Sequence, residues 1–157
     1  MAAFDVIVVG VGGMGSAALA HLSSRGLRVL GIEQFDIGHA RGSSHGITRI
    51  IRLAYFEHPS YVPLLRRAYE LWRDLETGRD EPLLHITGGL DVGWPGSEVF
   101  EGALRSCLLH DLPHEVLDAR ELMRRFPAWH PASNVQAVFQ PEAGFLTPER
   151  CIEAHVA

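Results

Sequence analysis

Apolar positions change their period several times along the chain, and each change predicts an element. Val6 to Val9 is a short apolar run, suited to a strand buried on both faces of a parallel sheet. From Ser16 to Arg25, Leu19 and Leu22 with the small residues Ala17, Ala18 and Ala20 predict the packing side of a helix. Arg28 to Ile32 reads as a second strand with Glu33 at its carboxyl end. Tyr61 to Thr77 places Val62, Leu65, Tyr69, Trp72 and Leu75 or Glu76 at helical spacing, with Leu64, Ala68 and Leu71 widening the apolar face. Pro59 and Ser60 can start that helix and Gly78 can end it.

Beyond Pro82 the period shortens. Leu83 to Thr87, Gly88-Gly89 and Leu90 to Val92 predict one strand, bent or bulged at the glycines, before a Trp94-Pro95-Gly96 turn. Ser97 can cap a helix running through about His110, with Val99, Phe100, Ala103, Leu104, Cys107 and Leu108 inward. Glu115 to Asp118 is a short strand, and Asp118 then caps a helical stretch from Ala119 to Phe126 that Pro127 stops. Val135 to Phe139 nearly alternates, Pro141-Glu-Ala-Gly144 turns, and Phe145-Leu146 resumes. Thr147 as N-cap and Pro148 at the first helical position open a last helix. Its pattern stops midway, so the front part of a longer protein, or a truncated relative, is expected.

The residues between the first two strands add chemistry. Gly10, Gly12 and Gly15 spell G-x-G-x-x-G where the first strand ends, with Gly13 and Met14 inside the turn. The first glycine allows a tight turn, the second lets a pyrophosphate approach the backbone, and the third lets helix and strand pack closely. Free amides at the helix start, with the aligned dipole behind them, favour phosphate. Glu33, 23 residues beyond Gly10, stands where a carboxylate reaches an adenosine ribose. A carboxylate there disfavours the 2′-phosphate of NADP and leaves FAD and NAD both open. The expected fold is α/β, a Rossmann-like FAD/NAD(P)-binding fold with the beginning of a second, mainly antiparallel α+β substrate domain. The expected division is a nucleotide-binding portion over 1–77, the start of a substrate-binding region over 78–146, and a helix over 147–157 returning to the first portion.

Composition narrows the partners. A net charge of -5 gives no electrostatic case for nucleic acid or an anionic membrane surface. Met1-Ala-Ala-Phe lacks a basic n-region, and no apolar stretch is long enough to cross a bilayer. Cys107 and Cys151 form no C-x-x-C unit and no metal spacing, so two buried thiols in a reducing, cytoplasmic setting are expected and no metal site is. His21 and His110 read as packing or surface residues, and Trp72, Trp94 and Trp129 as core or turn aromatics.

Between Glu33 and the next helix, Gln34 to Gly46 is rich in glycine and small polar residues yet partly apolar, a pattern that fits a binding loop. It leads into Arg41-Gly-Ser-Ser-His-Gly-Ile-Thr-Arg-Ile-Ile-Arg52. Ser43, Ser44 and Thr48 are hydroxyl donors, and His45, Arg49 and Arg52 bring cationic or tautomeric groups. Two readings of the arginines stay open. On one helical turn, Arg49 and Arg52 would point the same way and attract an anion. Alternatively they pair with Glu57, Glu70 or another carboxylate while the serines cap a turn.

These motifs together resemble one family. Asp5 to Gly15, Gly42-Ser-Ser-His-Gly46, Thr48-Arg-Ile-Ile-Arg52, Tyr61-Val-Pro-Leu64, Glu70-Leu-Trp72, Thr87-Gly-Gly-Leu90, Arg125-Phe-Pro127 and Pro141-Glu-Ala-Gly144 are similar to the monomeric sarcosine oxidase and N-methyltryptophan oxidase family, over nearly the whole chain. The broader relatives are glycine and D-amino acid oxidases. The resemblance implies FAD as cofactor and oxidation of the C–N bond of a secondary or N-methyl amino acid, with dioxygen reduced to hydrogen peroxide. It implies FAD contacts from Gly10, Gly12, Gly13, Met14, Gly15, Glu33, Gln34, Arg41, Ser43, Ser44, His45 and Arg49. It places Arg49 and His45 close to the flavin ring and Arg52 on the substrate carboxylate, so His45, Arg49 and Arg52 are the expected catalytic residues. The expected partners are a small-molecule amino acid and dioxygen, in a protein that is monomeric at full length. Family members attach FAD through a cysteine that neither Cys107 nor Cys151 matches, and the lysine tied to oxygen activation has no counterpart in a chain without lysine. A related FAD-dependent amino acid dehydrogenase, or a non-catalytic dinucleotide-binding subunit, are the alternatives.

Overall fold

β1 (Val6–Val9) and β2 (Val29–Ile32) pair in parallel, Val6 opposite Val29 and Val9 opposite Ile32, and α1 (Gly13–Ser23) connects them. This βαβ unit appears in a computed structural model that describes residues 3–157. The Asp5 carboxylate closes its open end by accepting from the Arg28 amide at 2.8 Å and from the guanidinium at 3.0 Å. At the other end the Gly10 amide donates to Ile32 O at 2.8 Å.

The chain divides into two units. The first takes the chain up to Arg49, Trp72–Leu84 and Leu146–Ala157; the second takes Ile50–Leu71 and His85–Phe145. In the first, α5 (Pro148–Val156) lies against α1 and buries Cys151, Ile152 and Ala154. Its own end is tied down by the Arg79 guanidinium, which donates to Ala154 O at 2.9 Å. The Glu76 carboxylate accepts from the Leu83 and Leu84 amides at 3.0 and 3.1 Å, fixing the turn after α2 (Tyr61–Glu76).

The second unit is mainly antiparallel. β5 (Gly89–Gly93), β7 (Gln136–Gln140) and β6 (Glu115–Asp118) form a sheet with β7 central and antiparallel to both neighbours. A second sheet has the order β3 (Arg49–Ile51), β8 (Gly144–Leu146), β4 (Leu84–Ile86), most of each strand falling in this unit. α3 (Glu98–Leu109) and Val62 of α2 enclose a core of Leu53, Ala54, Phe100, Ala103, Cys107, Leu112 and Val138. α4 (Ala119–Arg125) covers a smaller cluster of Leu117, Leu122, Val135 and Ala137. Both helices start as their sequences require: Ser97 Oγ accepts from the Phe100 amide and Asp118 Oδ1 from the Glu121 amide.

Several expectations change. β1 is not buried on both faces: Val9 is 82% exposed, because β2 is its one strand partner among the described residues. α1 begins at Gly13 rather than Ser16, so the glycine turn runs directly into the helix. The single strand expected from Leu83 to Val92 is two, β4 and β5, in different sheets. Gly88 separates them at φ 76, a conformation that a strand residue with a side chain avoids. β7 and β8 are no hairpin either; the turn at Pro141–Gly144 hands the chain from one sheet to the other. Leu108, expected inward, is 67% exposed. Thr147 is the N-cap residue of α5, but its hydroxyl makes no capping bond and is buried without a partner.

Candidate functional site

The first unit concentrates its uncommitted polar groups at the start of α1. Gly12 is the N-cap residue and has no side chain to cap the helix, and the first turn carries no acid. Beyond the Gly13 amide, which donates to Ser44 Oγ, the first-turn amides and the dipole behind them are left for an external anion. The turn is held by close packing: a Cβ on Gly15 would stand 1.8 Å from Gly10 O, and Gly10 itself has φ 90.

Glu33 closes the site from β2. Its Oε2 accepts from the Val11 amide at 2.8 Å, and its Oε1 from the Gln34 and Phe35 amides at 2.8 and 3.2 Å. The Val11 and Phe35 amides hold this carboxyl below the usual glutamate range, so it is ionised at neutral pH. Oε2, with one protein donor among the described residues, keeps a lone pair for a hydroxyl. This geometry makes Glu33→Gln a probe of the site: one carboxylate oxygen becomes an NH2 that cannot accept a backbone amide, so the unfolding temperature is expected to fall, and dinucleotide affinity to fall by roughly tenfold, read by cofactor release on dilution at a temperature where the variant is folded. Unchanged affinity would remove Glu33 from the site.

The loop over 34–46 folds back onto the glycine turn. Ser44 Oγ accepts from the Gly13 amide at 3.2 Å, taking the place of an anion oxygen at the helix start. Arg49, expected to reach a flavin, donates through Nη2 to the Ser43 and His45 carbonyls at 2.8 and 3.0 Å, so its guanidinium braces the loop. The Gly46 amide donates to Glu149 Oε1 at 2.7 Å, fixing the loop to the first turn of α5.

Two cavities adjoin this arrangement. One, of about 260 Å³, is lined by Val11, Gly12, Glu33, Gly38, His39, Gly42, Ser43, Ser44 and Ile152. The other, of about 130 Å³, is lined by Gly13, Ser44, Arg49, Trp72, Leu146, Pro148, Cys151, Ile152 and His155. Ser44 lines both. Of the residues expected at a cofactor, Gly12, Gly13, Glu33, Ser43, Ser44 and Arg49 line one or other cavity; Gly10, Met14, Gly15, Gln34, Arg41 and His45 line neither. Gly10 and Gly15 shape the turn, and Gln34 lends its amide to Glu33. Arg41 lies over the Phe35 ring at 4.7 Å. Met14 and the His45 side chain are exposed.

Sequence reasoning missed His39. Its Nδ1 accepts from the Arg41 amide at 3.0 Å, which puts the ring proton on Nε2, 3.3 Å from Glu33 Oε1. It also missed the cavity walls from α5, Ile152 and Cys151, and gave Trp72 only a packing role. Burial pushes the Cys107 and Cys151 thiols up to about 11, so neither is a nucleophile at neutral pH. Among the described residues no group of three His, Cys, Asp or Glu could hold a metal ion, and no helix is long and apolar enough to cross a membrane.

Arg52 belongs to the second unit, and the helical-turn reading of Arg49 and Arg52 is corrected by β3. Arg49 opens that strand and Arg52 follows its end, so the two do not share a helical turn. Arg52 instead has carboxylate neighbours, with Nε 3.4 Å from Asp91 Oδ1 and Nη2 3.7 Å from Glu57 Oε2.

Comparison with known proteins follows the same lines. The chain is 51% identical over 153 residues to monomeric sarcosine oxidase of Streptomyces avermitilis, a match covering 98% of this chain and 40% of that protein. It is 38% identical over 150 residues to N-methyl-L-tryptophan oxidase of Yersinia pestis, covering 96% of this chain and 40% of that protein. Among solved structures it resembles NikD, an unusual amino acid oxidase essential for nikkomycin biosynthesis, with a TM-score of 0.82, 27% identity, and 97% of this chain and 39% of that chain covered. The chain thus spans about 40% of the length of these curated relatives. Residues 5–156 match the family model for FAD dependent oxidoreductases of the DAO type, and the chain belongs to that family.

Proposed function

We propose that this chain supplies the nucleotide-holding part of an enzyme that oxidises the C–N bond of a secondary or N-methyl amino acid of the sarcosine kind. The observation that carries the reading is the convergence of a glycine-capped helix start, an ionised Glu33 and the Ser44 hydroxyl on one pair of cavities. It is supported by 51% identity to a monomeric sarcosine oxidase. The residues present fit FAD: first-turn amides for the pyrophosphate, Glu33 for the ribose, Ser43 and Ser44 along the loop, and Arg49 beyond them. When bound, FAD supplies the two-electron chemistry, taking hydride equivalents from the amine and passing them to dioxygen as hydrogen peroxide; the imine product hydrolyses in water.

The chain's own residues have separate tasks. In the first unit, the fixed guanidinium of Arg49 would stabilise negative charge without reorganising. In the second, Arg52 would clamp the substrate carboxylate through its Nη edge. This assigns the cofactor to the βαβ side, with α5 beside it, and the start of the substrate side to the antiparallel unit. A monomeric enzyme acting on a small-molecule amino acid completes the reading, and two free buried cysteines fit a reducing, cytoplasmic setting.

The test is a visible spectrum of the full-length protein, followed by anaerobic titration with sarcosine, pipecolate and N-methyltryptophan. Flavin bands that bleach with one of these, and peroxide on readmission of oxygen, are expected. A purified protein without flavin bands would sink the proposal.

A further inference from the structure

Around Arg52 the second unit builds a buried chain of polar contacts that substrate binding alone does not require. Gln140 Oε1 accepts from the Ala54 amide at 2.8 Å, and its Nε2 donates to Asp91 Oδ2 at 2.6 Å. The other oxygen of Asp91, Oδ1, lies 3.4 Å from Arg52 Nε, an atom that is buried and has no hydrogen-bond partner. On its far edge Arg52 has, among the described residues, the longer contact to Glu57, whose side chain is 46% exposed against 10% for Asp91. The guanidinium carbon stands 4.7 Å from the Tyr55 ring centroid and 5.4 Å from that of Phe56.

We infer that Asp91, locked by Gln140, is a positioning residue for Arg52: a fixed buried counter-ion that holds the Nε edge and leaves the Nη edge to a ligand carboxylate. The inference rests on the substrate-clamping role proposed above for Arg52. Asp91 has little freedom to turn. The Ala54 amide demands an acceptor, so the Gln140 carboxamide must face it with oxygen and present nitrogen to Asp91. A flipped amide would lose both bonds. Asp91 is thus set in place by the backbone of its own unit, independently of Arg52.

Electrostatics make the arrangement mutual. Burial pushes the Asp91 carboxyl above the usual aspartate range, and the Arg52 charge is the largest influence pulling it back. An arginine with one buried partner and two flanking rings has lost most of its rotamer freedom before any ligand arrives. The remaining edge is the bidentate one that planar carboxylates fit. Asp91 would touch neither substrate nor cofactor; it acts through Arg52.

The experiment uses the full-length flavoprotein with sarcosine as substrate and ¹⁵N-arginine labelling, comparing wild type, Asp91→Asn and Gln140→Leu. In Asp91→Asn, KM is expected to rise by about tenfold or more while kcat stays within about twofold, the signature of lost ground-state orientation. Exchange of the Arg52 Nε proton should quicken in the same variant. Gln140→Leu should shift both readouts in the same direction by less, and it decides the matter if Asp91→Asn does not fold. Unchanged KM and unchanged Nε exchange would overturn the inference, as would a lowered unfolding temperature with neither readout moved. If the wild type bears flavin but oxidises no carboxylate-bearing amine, the functional proposal fails, and proton exchange still decides whether Asp91 holds Arg52.

Discussion

Gly15→Ala is expected to cost the protein both its cofactor and part of its stability. The new methyl would sit 1.8 Å from Gly10 O and 2.9 Å from Gly10 C, and these are backbone atoms that cannot rotate aside. Gly10 cannot retreat, because its amide donates to Ile32 O at the end of the parallel pair. The start of α1 must therefore lift away, carrying the Gly12 and Gly13 amides with it. Overpacking of this kind costs about 1–3 kcal/mol, with backbone clashes at the upper end. Gly12→Ala is the control, since a Cβ there would meet only Ser44 Oγ at 3.8 Å. Thermal unfolding and bound-flavin content should separate the two: Gly15→Ala falls in both, Gly12→Ala in flavin content alone. A Gly15→Ala protein as stable as wild type would refute the close-packing account of the turn.

On the proposed function, Arg52→Ala is expected to weaken binding of the amino-acid substrate far more than FAD binding, and also to destabilise the second unit by about 2–3 kcal/mol at neutral pH. That is below the usual cost of orphaning one member of a buried pair, because the Arg52 side chain keeps 21% of its surface exposed. The destabilisation has a definite pH dependence. Asp91 has its folded pKa raised above the ordinary aspartate value by burial, so its ionisation favours the unfolded chain. The penalty is absent below the unfolded pKa and fully present above the folded one. Removing Arg52 raises the folded pKa further, so the gap between Arg52→Ala and wild type should narrow as pH falls toward the acid range. Denaturant melts across a pH series check the sign. A gap that widens in acid would show that Asp91 is not the orphaned charge. The double variant Arg52→Ala/Asp91→Asn should regain stability but not substrate affinity, which separates the two roles of Arg52.

Much of the secondary structure was legible because it rests on local chemistry. Ser97 and Asp118 cap helices that begin where their spacing to Phe100 and Glu121 predicts, and Gly78 ends α2 at φ 77. The departures arose where local patterns are silent about pairing. Gly88 and the Pro141 turn read as a bulge and a resumed strand, yet each passes the chain between sheets. Of the two readings open for Arg49 and Arg52, the shared helical turn gives way to a strand that β-branched Ile50 and Ile51 suit, and pairing with Glu57 or another carboxylate holds for Arg52.

The sequence by itself determined the glycine turn, the acid at the end of β2 and the loop that follows. Each follows from steric or hydrogen-bonding demands among residues near one another in the chain, and those demands also carried the family resemblance. Only the tertiary structure decided that Glu33 accepts from Val11, that Ser44 occupies the Gly13 amide, and that α5 walls the cavities through Ile152 and Cys151. It alone placed Asp91 and Gln140 beside Arg52, 39 and 88 residues further along the chain. A buried carboxylate and a carboxamide carry no spacing signal. What selects them is the desolvated guanidinium they face, and that contact exists only once the sheet has formed.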